Sequence, residues 1–383
     1  MAFFYGGLAR RRSVLYIMMQ SFISMGIVTL LWIYGGFVLA FGKDEGGVIG
    51  CFTDYFALHN VGLVPNAVHA ASIPFVFFFL FQLMFCVITV PLISGAFAER
   101  LNIKGYVWLL IVWTLLVYIP VCHWVWGGGF LQKIGFVDFA RGTVIHTTAS
   151  FAALASIIFL GKRQLKQKGM KPSNLMAAAI GTGLLWFGWL GFNSGGAFRA
   201  GALAATVFAN TIVGLASGMV VWMLCAKFVR GKVNFVDVLT GSIAGLATIT
   251  PCAGYISPSS AVIVGIVAGI ICNLAVSLQE HIGWDDALGV WGVHGIVGFT
   301  GSILIGLLAD RTVNGVGASF HQFLVQAGGV ILVAAYSFII TLLILKVLSM
   351  LTQIRPSDTV IAKGLDQQLL DETSYDLSVK GGK

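Results

Sequence analysis

Charge is what this sequence has least of. Asp, Glu, Lys and Arg make up 10% of its 383 residues, against 58% hydrophobic residues, whereas a soluble globular chain is about 25% charged. That balance excludes a water-soluble domain. Metal and redox cysteine patterns are missing too. The six cysteines (Cys51, Cys86, Cys122, Cys225, Cys252 and Cys272) form no CxxC and no Cys/His pair at metal-ligand spacing. Most fall in apolar runs and read as small buried hydrophobes. A Cys51–Cys252 disulfide stays open, because the alternation of loops places both residues on the outer side. A cleavable signal pattern is absent as well, since MAFFYGGLARRR reaches its arginines with hardly any apolar run before them.

Long apolar stretches are what the chain does have. They cover approximately residues 14–41, 70–97, 107–126, 143–160, 175–192, 202–225, 236–250, 261–276, 287–308 and 320–351. A helix needs roughly 20 apolar residues to cross a bilayer core about 30 Å thick. The expectation is therefore one all-α polytopic membrane domain over residues 1–352, with a tail over 353–383 that has no span and is either a mobile end, the favoured reading, or a docking segment. The 48 glycines suit close helix packing in lipid, where small residues let backbones approach.

The few charges fall between the runs and orient them. Of 23 Lys and Arg, five (Lys43, Lys133, Arg141, Arg199 and Arg311) lie on one set of alternating loops and eighteen on the other. The basic side is cytoplasmic by the positive-inside rule, and it carries the C-terminal tail. The formal charge of +8 is thus a topology signal, and nucleic-acid binding is not needed to explain it.

An internal repeat is visible. DFARGTVIHTTASFAALASIIFLG begins at Asp138 and DDALGVWGVHGIVGFTGSILIGLLAD at Asp285. In each, an aspartate at the membrane edge precedes a histidine by eight residues, giving Asp138 with His146 and Asp286 with His294, at an offset of 148 residues. The loop count sends these two helices through the membrane in opposite directions, the signature of an inverted repeat. With a rise of 1.5 Å per residue, each histidine lies about 12 Å from its aspartate, entering from opposite faces. Both then fall within one or two helical turns of the same depth.

Apart from these histidines, the middles of the spans hold almost no titratable group, and ionisable residues at such depth face a pathway or a partner. Neutral imidazole both donates and accepts a hydrogen bond, so a facing pair can guide a small polar solute. No carboxylate ring of the kind that lines cation pores is visible. The solute is expected to be small and neutral while inside. Aromatic residues gather at the outer span ends: Phe81 and Phe85, Trp124 and Trp126, then Trp186, Trp189 and Phe192. An interfacial belt is one reading of them. The other is a cation-π cup at Trp126 and Phe85 that concentrates a small cation before it loses a proton.

Seven stretches carry a family resemblance: FYGGLARR at Phe4, FQLMFCVITVPLISGAFAER at Phe81, HWVWGGG at His123, DFARGTVIH at Asp138, WFGWLGFNSGG at Trp186, TPCAGYISP at Thr250 and DDALGVWGVHG at Asp285. In this order the chain resembles the ammonium transporter family (Amt/Mep/Rh) over essentially its whole length. The resemblance implies an inverted repeat of five-helix halves with about eleven transmembrane helices, the first cut to a stub here. It implies an outer recruitment site at Phe81, Phe85, Trp126 and Asp138, with Asp138 holding the vestibule by hydrogen bonds, and a gate of Phe85 stacked on Phe192. His146 and His294 match the paired pore histidines, and Trp189 and Thr250 match further pore positions. Ammonium would be captured outside, deprotonated and conducted as ammonia, with methylammonium as an analogue. The resemblance implies no enzyme activity, cofactor or metal. It implies a multi-pass homotrimer in the cell membrane and, in prokaryotes, regulation by a cytoplasmic PII signalling protein.

Two substitutions depart from the family pattern at the outer mouth. The outer-site serine position, four residues after Phe192, is Gly196, and AGGT is replaced by Ala140-Arg141-Gly142-Thr143. Arg141 either repels a cationic substrate or points into solvent. In the tail, Gly364-Leu365-Asp366 is similar to the family's regulatory segment, and the residues after Asp366 depart from it. These departures keep a second function in play, an ammonium sensor with the transporter fold and little transport.

Overall fold

The computed structural model describes residues 1–163 and 171–375; Lys166, Lys168, Lys380 and Lys383, four of the eighteen basic residues assigned to the cytoplasmic side, lie outside the described residues. Every apolar run becomes a helix. In chain order the elements are α1 (Ala2–Leu8), α2 (Val14–Phe41), α3 (Phe75–Ser94), α4 (Ile103–Lys133, broken at residues 127–129), α5 (Gly142–Leu160) and α6 (Leu175–Ala197). They continue as α7 (Ala202–Arg230), α8 (Phe235–Ile249), α9 (Pro258–Ile282), α10 (Trp291–Leu308) and α11 (Phe320–Leu351). Among the described residues, nine of these are long and apolar enough to cross a membrane, and α8, at 15 residues, is a shorter apolar helix.

Polar side chains at the helix entries explain where several begin. An unpaired first-turn N–H in an apolar medium costs several kcal/mol, and Asn102, Asn174, Ser257 and Ser319 each accept one at the starts of α4, α6, α9 and α11. Asn234 and Asp237 form a reciprocal capping box on α8. Glycines decide how closely the helices approach. A Cβ on Gly7 would fall 2.4 Å from Ala178 N, and one on Gly181 would fall 2.3 Å from Phe4 N, so α1 crosses α6 backbone against backbone. Gly218 and Gly245 do the same for α7 and α8: a Cβ on Gly218 would meet Gly245 Cα at 2.7 Å. Four helices, α6 to α9, lie between α5 and α10, so alternating passage leaves those two antiparallel, as the inverted repeat requires.

On one side, the hairpin Asp44–Glu45 with Ile49–Gly50 is pinned by Asp44, whose carboxylate meets His123 Nε2 at 2.8 Å and Lys133 Nζ at 2.5 Å. At the opposite end Glu99, buried, binds both Arg10 and Arg163. All six cysteines are free; the Cys252 thiol donates to Ile249 O, so the Cys51–Cys252 bridge is not formed.

The tail takes the docking alternative over the favoured mobile one. Residues 353–375 are packed onto the bundle. Ile354, Ile361 and Leu365 are buried, Arg10 donates to Ile361 O, and Arg355 donates to Leu160 O. Asp366 accepts from the Leu15 and Tyr16 N–H groups, 3.1 and 2.8 Å away. Ser13, at the cap position of α2, supplies no side-chain cap; the tail supplies it instead. Apolar burial together with a needed cap outweighs the chain entropy that favours a mobile end.

Candidate functional site

The two aspartates of the repeat do the same structural work. Asp138 Oδ1 accepts from the N–H groups of Arg141 and Gly142, both at 2.8 Å, and Oδ2 from those of Thr143 and Val144 at 2.7 and 3.2 Å. Asp286 accepts from Val290 and Trp291 at 3.0 and 2.7 Å. Each carboxylate thereby starts a helix whose first turn is wide, a π-turn at Gly142–Thr147 in α5 and at Trp291–Gly295 in α10. Each π-turn carries the histidine. Such turns recur at functional positions because the wider turn re-aims a side chain.

The result is a column of rings. His146 and His294 lie nearly parallel, 9° between planes and 5.5 Å between centroids. Trp189 stacks on His146 at 5.3 Å and 11°, and its Nε1 donates to Thr250 Oγ1 at 2.8 Å, which fixes the indole. Phe192 lies 6.4 Å from His146 and meets Phe85 edge-on, at 4.6 Å and 89°, so the two rings pair without the expected stacking. Phe85 in turn meets Phe81 at 4.6 Å and 90°. Both nitrogens of His146 and Nδ1 of His294 are buried with no hydrogen-bond partner among the described residues. Three imidazole nitrogens thus remain open to a small hydrogen-bonding solute.

Above this column is a cavity of about 330 Å³ that touches Trp126, Asp138, Arg141, Gly196 and Phe198. Trp126 is held by its Nε1 donating to Asp138 O at 2.9 Å. Gly196 packs under Phe139, where an added Cβ would come within 3.1 Å of the ring. Arg141 does not point into solvent: it is 2% exposed, with its guanidinium over three rings. The distances from Cζ are 3.8 Å to Phe85, 4.6 Å to Trp126 and 4.8 Å to Phe81. Its backbone is left-handed, φ 80° and ψ 33°, a conformation that costs a non-glycine residue roughly 1–2 kcal/mol. The structure therefore gathers every predicted site residue into one column and its mouth.

Phe198 is a site residue that the apolar pattern misses. It lies between α6 and α7 yet packs 5.5 Å from Phe81. No periodicity marks it, and the only signal is an aromatic residue among the small residues of the loop.

Comparison with known proteins decides the family. The model of the Ammonium Transporter Family matches residues 1–375. The chain belongs to the ammonium transporter family. It is 42% identical to a putative ammonium transporter of Methanothermobacter thermautotrophicus, over 98% of this chain and 94% of that one. It is 37% identical to an ammonium transporter of Bacillus subtilis, with coverage of 98% and 94%. Among solved structures, Candida albicans Mep2 superposes with a TM-score of 0.86 at 34% identity, covering 94% of this chain and 82% of that one. A structure described as a sensor Amt protein superposes with a TM-score of 0.88 at 28% identity, covering 95% and 92%. The ammonium transporter fold and a multi-pass membrane protein follow.

Proposed function

We propose that this chain conducts ammonium nitrogen across the cell membrane as neutral ammonia and performs no enzymatic chemistry. Ammonium is recruited at the vestibule of Phe81, Phe85, Trp126 and Asp138, gives up its proton there, and ammonia passes the Phe85–Phe192 gate. It then moves along His146 and His294 beside Trp189 and Thr250. The observation that carries this reading is the histidine pair: two buried rings 5.5 Å apart with three unpartnered nitrogens, enclosed by apolar residues. Unpaired polar atoms of this kind are costly in a dry interior, and a transient neutral partner that donates and accepts satisfies them in turn. A bare cation would find no carboxylate there to replace its hydration.

The cytoplasmic side is assigned by the lysine and arginine asymmetry and includes residues 353–383 as the tail of the transmembrane domain 1–352. A homotrimer with one pore per subunit, and a PII-type signalling protein at the cytoplasmic face, are carried over from the family resemblance. The test is uptake of labelled methylammonium in transporter-deficient cells. Uptake is expected with the native chain and is expected to vanish when both His146 and His294 are replaced by alanine; unchanged uptake in that double variant overturns the assigned pore.

One observation favours a second reading, a sensor of ammonium that transports little: the guanidinium of Arg141 already lies in the aromatic cup. Methylammonium uptake separates the two readings, because a sensor binds the cation without accumulating it.

A further inference from the structure

We propose that Arg141 is the resident cation of the aromatic cup, a tethered competitor that external ammonium must displace, and hence a specificity-determining residue of the entry step. The proposal rests on the reading of Phe81, Phe85 and Trp126 as the recruitment site. Three rings surround one guanidinium at 3.8 to 4.8 Å, and ring faces at such distances attract a cation through their quadrupoles. Among the described residues Arg141 forms no salt bridge. The neighbouring carboxylate, Asp138, is engaged by four backbone N–H groups. Arg141 Nε is buried with no hydrogen-bond partner among the described residues, and the three rings are the groups in direct contact with the guanidinium.

A guanidinium stays protonated at any physiological pH, so proton loss does not vacate the cup. A second cation beside it is repelled, and the side chain has to swing toward the mouth cavity before ammonium can take its place. Tethering sets the strength of this competition. A group on a short tether acts at an effective concentration of about millimolar, so micromolar external ammonium is outcompeted and entry requires ammonium at about millimolar or higher. The native chain thus works as a low-affinity entry.

The experiment uses the full chain, native and as Arg141→Gly, Arg141→Gln and Arg141→Lys. Glycine accepts the left-handed backbone at residue 141 without strain; glutamine keeps the length and removes the charge; lysine keeps the charge. Two readouts are taken: methylammonium uptake against concentration in transporter-deficient cells, and calorimetric binding of methylammonium and of guanidinium to the purified protein. We expect Arg141→Gly and Arg141→Gln to lower the apparent KM for methylammonium at least tenfold and to gain guanidinium binding, with competitive inhibition of uptake by millimolar guanidinium. The native chain and Arg141→Lys should show neither effect. Unchanged KM and unchanged cation binding in both Gly and Gln variants overturn the proposal while leaving His-dependent uptake, and so the pore, intact. Cation binding gained in those variants without uptake by any form sustains the proposal and overturns the transport reading instead.

Discussion

His146 and His294, 148 residues apart in the chain, face each other with ring centroids 5.5 Å apart. Neither Nδ1 atom has a hydrogen-bond partner among the described residues. Their placement comes from upstream, from two aspartates that each begin a wide helical turn eight residues before the imidazole. Position in this pair is therefore a backbone property, and the aspartates are its sensitive points.

Asparagine at residue 138 tests that dependence. Asp138 satisfies four N–H donors, whereas an amide offers one oxygen and turns its NH2 toward the other two. Each buried donor left unpaired costs about 1–3 kcal/mol. Asp138→Asn should lose several kcal/mol of stability on that basis, and Asp286→Asn, with two donors at stake, about half as much. Thermal melting of the purified chain in detergent gives the order. Equal losses from the two substitutions would contradict the capping account.

Much of this architecture is legible from residues alone. Hydropathy locates ten helices because a lipid-spanning helix must be apolar over nearly its whole length, whichever partner it meets. The repeat exposes the histidines because symmetry repeats spacing. The tail is different. Its docking depends on Asp366 meeting a helix start that is 350 residues away, and no local pattern encodes such a distant partner. Arg141 is visible as a departure, but its side-chain direction is set by three rings from two other helices. Whether a cation points to water or to aromatic faces is decided by packing.

The tail cap yields a second prediction. Asp366→Ala leaves two first-turn donors of α2 without their acceptor, and loss of such a cap typically costs about 1 kcal/mol. The tail should detach more readily, so trypsin should cut after Lys363 faster in Asp366→Ala than in the native chain. Equal cleavage rates would mean that the buried Ile361 and Leu365 and the bonds of Arg10 and Arg355 hold the segment without the cap.

Acid should act at the hairpin on the other face. Asp44 is held below the ordinary carboxylate range, first by its hydrogen bond from Lys133 and then by that from His123. A carboxylate with a lowered folded-state pKa contributes stability that is present above the unfolded value, about 4, and is lost as pH falls through the folded value. Asp44→Asn removes this contribution at every pH. The melting temperatures of native chain and variant should therefore differ at pH 7, and the gap should narrow progressively as pH falls below about 4. A gap that does not narrow at all as pH falls from 7 into the acid range would show that the carboxylate charge is not what stabilises the clasp.

Close packing around the histidine gives the most local test of the proposed pore. A Cβ on Gly298 in α10 would fall 2.6 Å from His146 Cβ and 2.7 Å from Gly142 O, so Gly298→Ala must push α5 and α10 apart or turn His146. Overpacking of one methyl in a tight interior costs about 1–3 kcal/mol. The two responses differ in their readout. If His146 turns, the ring loses its place between Trp189 and His294, and methylammonium uptake should fall by an order of magnitude or more with only a modest drop in melting temperature. If the helices part, the drop in melting temperature should be the larger effect. Separating the helices also breaks the Thr143–Ser302 hydroxyl contact at 2.6 Å, so Ser302→Ala should reproduce part of that loss. A stable Gly298→Ala chain with native uptake would show that the imidazole position is not critical to conduction.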